Sequence, residues 1–262
     1  MKLYILTDLE GPCLVSRWEQ TRVQETTPAK QQAMTMLTQE VNAAVDGILD
    51  VDPGATVVVW DGHGSGGIDV LQFHPRACLL AHGKGIRAPY YLDETFDGLL
   101  FVGQHAMAGT PAAPLCHTYS SKTVEHYKLN GQPIGEFGAR AAMAGTFGVP
   151  TIFIAGDDKA TLEARAVVPE IFSVDTKLGL GVELALHYPV ETVRHSIRSQ
   201  VAEAVRRRHD IRPVHVAGPY TMESRVLPEC SVNGYLARSP QVKQLDERTV
   251  EWTVDNLCEL WI

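Results

Sequence analysis

The chain has 262 residues, 45% of them hydrophobic and 21% charged, the make-up of a globular protein with a substantial core. Its 23 basic and 31 acidic residues leave a formal charge of −8, which argues against nucleic acid or an anionic membrane as partner. No apolar run approaches the roughly 18 residues of a membrane helix, Asp8 and Glu10 interrupt any signal-peptide core, and five cysteines without a C-x-x-C pair point to reduced thiols, so a cytoplasmic protein is expected.

Residues 2–7 (K-L-Y-I-L-T) read as a short buried strand that Gly11 and Pro12 stop. Asp8 and Glu10 then sit at its carboxyl end, the edge where open α/β sheets bind ligands. Residues two apart on an extended segment face the same way, so both carboxylates can converge on one cation. A solvated acidic turn is the plain alternative. Residues 18–27 form a polar loop over that strand end. Thr27 and Pro28 are placed as N-cap and first residue of a helix. Its apolar positions run at helical spacing from Ala33 to Leu49, and it ends before Pro53 and Gly54.

Residues 55–60 (A-T-V-V-V-W) form a second buried strand. Strand, helix and strand at this spacing predict a βαβ unit with two parallel neighbours. The second strand runs into D-G-H-G-S-G-G, which brings His63 to the same edge as Asp8 and Glu10. The loop lacks the G-K-[ST] of a P-loop and the G-x-G-x-x-G spacing. A metal-binding imidazole, with Asp61 as its supporting carboxylate, fits better.

His74 and His82 read as surface or packing residues, and residues 77–81 as a short strand. Residues 96–103 are a third strand, delivering His105. His117 follows twelve residues later, after a Gly-Thr-Pro-Ala-Ala-Pro loop. A loop histidine near a metal suits acid–base or nucleophilic work. Cys116 is a rival nucleophile, although adjacent side chains point apart. Residues 124–129 and Asn130-Gly131 predict a hairpin. Glu136 opens a small-residue helix over 139–147, either as a helix N-terminal stabiliser or as a ligand. A buried strand (151–155), a helix (159–166), a short strand (172–174) and a turn-rich, pocket-lining segment (177–181) follow. A long helix over 190–208 ends in Arg206-Arg207-Arg208-His209, complementing its dipole. Strands are expected at 213–217 and 249–254. The apolar end, Leu257, Leu260, Trp261 and Ile262, suggests docking on the body or a neighbouring subunit.

Asp8-Leu9-Glu10-Gly11, Asp61-Gly62-His63, Gly103-Gln104-His105-Ala106, His117, Ile134-Gly135-Glu136-Phe137-Gly138 after Asn130-Gly131, and residues 149–158 occur in the order found in the zinc-dependent D-aminopeptidases. The sequence resembles that family over about residues 1–160. The resemblance implies a layered α/β/α fold with a largely parallel central sheet. It also implies a two-zinc site, with Mn²⁺ as the alternative ion, from Asp8, Glu10, His63, His105 and Glu136, with His117 as the catalytic residue. Short peptide substrates, a D-residue preference and a ring-like homo-oligomer follow from it too. Little matches beyond residue 175, which leaves substrate choice open. The chain is read as one metallohydrolase unit over 1–262, with closely packed subdomains 1–88 and 89–262 as the variant.

Three carboxylates and two imidazoles suit Zn²⁺ or Mn²⁺. One carboxylate, with Asp8 favoured, can bridge ions about 3.5–4 Å apart. His117 is then the best proton donor to a leaving amine, with a nucleophilic role competing. The rival readings are another two-metal hydrolase (an amidase or phosphoesterase) and a non-enzymatic peptide-binding or transport accessory protein. A phosphoesterase would be expected to carry G-D-x-x-x-R or G-N-H-E, which are missing, and a binding module has no need of five convergent ligands.

Overall fold

The apolar runs become parallel strands in the computed structural model, which describes residues 1–81 and 86–260. β1 (Lys2–Thr7), α1 (Pro28–Leu49) and β2 (Thr56–Asp61) make the expected βαβ unit. The Thr27 hydroxyl caps α1 by accepting the Lys30 N–H at 3.2 Å, and Pro28 opens the helix. β3 (Cys78–Leu80) pairs with β2, and β4 (Gly98–Gln104) flanks the other side of β1. The chain then forms a hairpin from β5 (Val124–Leu129) and β6 (Gln132–Pro133). It returns through α2 (Glu136–Thr146), β7 (Thr151–Asp157), α3 (Asp158–Val167), β8 (Phe172–Gly181), β9 (Leu184–His187) and α4 (Val190–Arg206). β10 (Tyr220–Val226), α5 (Asn233–Leu236), β11 (Lys243–Gln244) and β12 (Thr249–Val254) complete it.

Seven strands form the main sheet in the order β3-β2-β1-β4-β7-β8-β9, parallel except for β9. Every residue of β4 and β7 is buried, as strands covered on both faces require. Strands from either side of residue 88 pair directly in this sheet, β1 with β4. A second, antiparallel sheet has the order β11-β12-β10-β5-β6 and its own core of Tyr127, Leu129, Met222 and Trp252. Helix α2 lies between the two cores, giving Phe137 and Ala141 to the larger and Ala142 to the smaller.

Two expectations need correction, and a third is met where the structure describes it. Residues 213–217 are irregular: the Val214 carbonyl abuts Gly145 of α2, where a Cβ would lie 1.7 Å from it, and the segment finds no ladder partner among the described residues. The short strand expected at 172–174 extends to residue 181, so the segment read as turns is strand β8. Leu257 and Leu260 dock into the smaller core, whereas Trp261, Ile262 and His82 lie outside the described residues.

Register explains why the ligand-type residues meet. Thr7 sits opposite Asp61 on one side and Val102 on the other, so Asp8 and Gly62 leave the sheet level with Gly103 of β4. The backbones approach closely there. Gly103 has φ of +84°, and a Cβ on it would lie 2.0 Å from the Asp8 carbonyl oxygen. Gly103→Ala combines a left-handed backbone with that clash, and should cost roughly 3 kcal/mol or more. Chemical unfolding measures this, and an unchanged midpoint would refute it.

Candidate metal centre

Asp8, Glu10, His63, His105, His117 and Glu136 converge at this edge. Their possible ligand atoms form two groups, each within 4.8 Å: Asp8, Glu10 and His63 in one, and His105, His117 and Glu136 in the other. Asp8 faces both. Its Oδ1 is 3.0 Å from His63 Nδ1, and its Oδ2 is 3.2 Å from His105 Nε2. Glu10 Oε2 approaches His63 Nδ1 at 3.4 Å. Glu136 Oε1 lies 3.5 Å from His105 Nε2 and 3.9 Å from His117 Nε2.

Backbone carbonyls fix the three imidazoles. His63 Nε2 meets the Thr21 carbonyl at 3.0 Å, His105 Nδ1 that of Ala106 at 2.9 Å, and His117 Nδ1 that of Leu115 at 2.9 Å. A carbonyl only accepts, so each of these ring nitrogens carries the hydrogen. The other nitrogen of each ring therefore faces the carboxylates. Asp61 accepts from the Gly67 and Ile68 N–H groups and so shapes the glycine loop that presents His63.

The residues fit divalent zinc. Glu10 Oε2 and His105 Nε2 are buried and close to opposite charges, yet neither completes an aligned hydrogen bond. A cation between the groups would satisfy both. The charge pattern agrees. Burial pushes the Glu10 carboxyl up, but His63, His117 and His105 outweigh it and hold it well below the usual range. Burial likewise opposes ionisation of Glu136, while His105, His117 and the Tyr119 N–H bring it down to about 2. Burial disfavours the charged forms of His63 and His105, yet the facing carboxylates raise both well above the ordinary imidazole value. Protons thus sit where a metal would, and metal loading expels them.

His117 differs. Burial and the neighbouring His105 lower its pKa, leaving a neutral ring. The two imidazoles stack at 4.1 Å, with 12° between planes. The loop that carries His117 is strained: Leu115 and Tyr119 have φ of 53° and 58°. Hydrogen bonds hold the strain, Leu115 N–H to the Val182 carbonyl at 2.7 Å and Tyr119 N–H to Glu136 Oε1 at 2.6 Å. Cys116 is no rival: burial raises its pKa, and Sγ points to the Thr110 carbonyl at 3.7 Å.

The metal groups open into a cleft of about 360 Å³, walled by Thr21, Arg22, Gln24, the glycine loop and residues 119–122. Sequence reasoning placed the 18–27 loop over the strand end but did not single out Thr21 or Arg22. It also missed Lys177, which is fully buried in β8. Lys177 Nζ donates to the carbonyls of Glu10, Pro12 and Val15, gathering the loop that carries Glu10. Burial lowers its pKa to about 8 against the pull of Asp157 and Glu40.

The family model described as D-aminopeptidase matches residues 1–261. A D-aminopeptidase of Bacillus subtilis (strain 168) is 33% identical over 180 residues, which is 68% of this chain and 64% of that protein. The match thus spans just under two thirds of the relative's length. Among solved structures, the Zn-dependent D-aminopeptidase DppA from Bacillus subtilis, called a self-compartmentalizing protease, matches 99% of this chain and 93% of its own. The TM-score is 0.90 at 24% identity, a likeness of fold.

Proposed function

We propose an activity for this chain, which belongs to the D-aminopeptidase family: it is a zinc-dependent aminopeptidase that removes N-terminal residues, D-residues by preference, from short peptides. The observation that carries this reading is the convergence of Asp8, Glu10, His63, His105 and Glu136, with Asp8 facing both imidazoles and His117 beside them, where an open cleft meets the sheet edge.

Asp8, Glu10 and His63 would hold one ion, and Asp8, His105 and Glu136 the second, with Mn²⁺ an acceptable substitute. Bound there, the ions would polarise a peptide carbonyl and lower the pKa of water to about 7. The protein's own groups do the rest. The Thr21, Ala106 and Leu115 carbonyls keep the imidazoles in the required tautomers. His117, neutral and facing the cleft, accepts a proton as the carbonyl is attacked and returns it to the leaving amine nitrogen. Its nucleophilic use is the variant of this role. The five free thiols support a cytoplasmic setting.

The test is a panel of short L- and D-peptides, with free or acetylated N-termini, offered to zinc-loaded and chelator-stripped protein. Cleavage of free D-peptides by the loaded form alone is expected. Turnover of p-nitrophenyl phosphate in place of peptides would make the protein a phosphoesterase, and equal cleavage of acetylated peptides would make it an endopeptidase or amidase.

A self-associating, ring-like assembly belongs to the same proposal. Leu180, Val182, Leu184 and Leu186, on the edge hairpin of the main sheet, are each more than half exposed. Such a patch on an unpaired strand edge favours association with a second copy. Leu184→Glu combined with Leu186→Glu should dissociate the oligomer in light scattering. A wild-type monomer at micromolar concentration would refute the assembly.

A further inference from the structure

One wall of the cleft carries cations that the proposed chemistry leaves unused, Arg22 and Lys122. Arg22 is half-buried and held in place. Its guanidinium carbon lies 3.3 Å from the centre of the Trp18 ring. Nε donates to Ser121 Oγ at 2.8 Å and Nη2 to the Ser121 carbonyl at 3.3 Å. Trp18 in turn meets His117 edge-on, with ring centres 5.9 Å apart. Thr21, the preceding residue, supplies the carbonyl that holds His63. The guanidinium is therefore fixed one ring away from His117.

A guanidinium has five N–H donors, and the bonds to Ser121 use two. Among the described residues no carboxylate pairs with Arg22 at salt-bridge distance; Glu183 and Glu10 act on it only at longer range. A braced, partly dehydrated and unpaired arginine on the wall of a peptide cleft is matched to a carboxylate, which it can hold through two parallel bonds. A dipeptide carries its carboxylate one residue, roughly 3.5 Å of extended chain, past the scissile bond.

We infer that Arg22, assisted by Lys122, anchors the C-terminal carboxylate of the substrate. The inference rests on the aminopeptidase reading and narrows the substrates to very short peptides with a free carboxyl end. Each residue inserted between the scissile bond and that carboxylate moves it away from a guanidinium that Trp18 and Ser121 do not let follow.

The test compares D-Ala-D-Ala with its C-terminal amide on the zinc-loaded enzyme, in wild type, Arg22→Gln and Arg22→Lys. Wild type should prefer the free acid by about 10- to 100-fold in kcat/KM, mostly through KM. Arg22→Gln should bring that ratio near one by raising KM for the acid, and Arg22→Lys should retain part of it. Calorimetry of dipeptide binding to zinc-loaded His117→Ala, with and without Arg22→Gln, reads the anchor without turnover and should show the same loss. Equal use of acid and amide by wild type overturns the anchor. So does an equal slowing of both by Arg22→Gln, which would make Arg22 only a brace for Trp18. If wild type cleaves neither compound, the aminopeptidase reading fails, and binding of the acid that depends on Arg22 still decides the anchor.

Discussion

Asp8→Ala should strip the protein of both ions and lower peptide turnover by at least about a thousandfold. The expectation follows from position. One oxygen of Asp8 faces His63 at 3.0 Å and the other faces His105 at 3.2 Å, so its loss opens both ligand groups at once. Glu10→Ala touches one group only, because Glu10 Oε2 approaches His63 Nδ1. The contrast is the informative part: after dialysis against zinc, Asp8→Ala should hold far less metal than Glu10→Ala. Asp8→Asn keeps the shape and removes the charge, which separates lost ligation from a collapsed loop. Full zinc content in Asp8→Ala would refute a bridging role.

His117→Ala should slow turnover on the order of 10²- to 10⁴-fold, the usual worth of a positioned proton carrier, while zinc content stays at the wild-type level. Its nearness to His105 and Glu136 makes a ligand role the competing outcome, and loss of metal together with activity would establish that instead. The pH dependence has a definite sign. Burial and the adjacent His105 hold the His117 pKa below its ordinary value, so the working neutral ring persists at pH 7. Activity should fall as pH drops through that lowered pKa, and His117→Ala should lose this limb of the profile. Cys116→Ser should leave activity nearly unchanged, since the thiol is turned to the Thr110 carbonyl.

The half of the fold that builds the centre was legible because buried parallel strands are continuous apolar runs. Leu3 to Leu6, Val57 to Trp60 and Leu99 to Val102 announce themselves, and each is followed within three residues by its ligand. The convergence of those ligands rests on parallel register, which a βαβ spacing already implies. The small antiparallel sheet was harder to see. β10 reads Y-T-M-E-S-R-V, with Met222, Ser224 and Val226 facing inward, an alternation fainter than the strand propensity of Val214-His215-Val216. Those valines have the propensity of a strand but no neighbour to pair with among the described residues. Arg22, Trp18 and Lys177 were invisible for another reason. Nothing local marks a residue whose function is to meet a carbonyl, a ring or a cleft contributed by a distant part of the chain.

Lys177 also bears on portability. A designer moving this centre to another parallel sheet would copy the D-x-E strand end, the two histidine loops and the first turn of α2. The transplant would lack the ammonium that ties the carbonyls of Glu10, Pro12 and Val15 into one knot, because it comes from a strand 167 positions further along the chain. Without that counter-piece the three carbonyls would face a dry interior, and the turn would reopen towards water, taking the Glu10 carboxylate with it. The smallest graft therefore adds a strand to those pieces, because β1 with its outgoing turn must travel with β8, which is not its neighbour in the sheet.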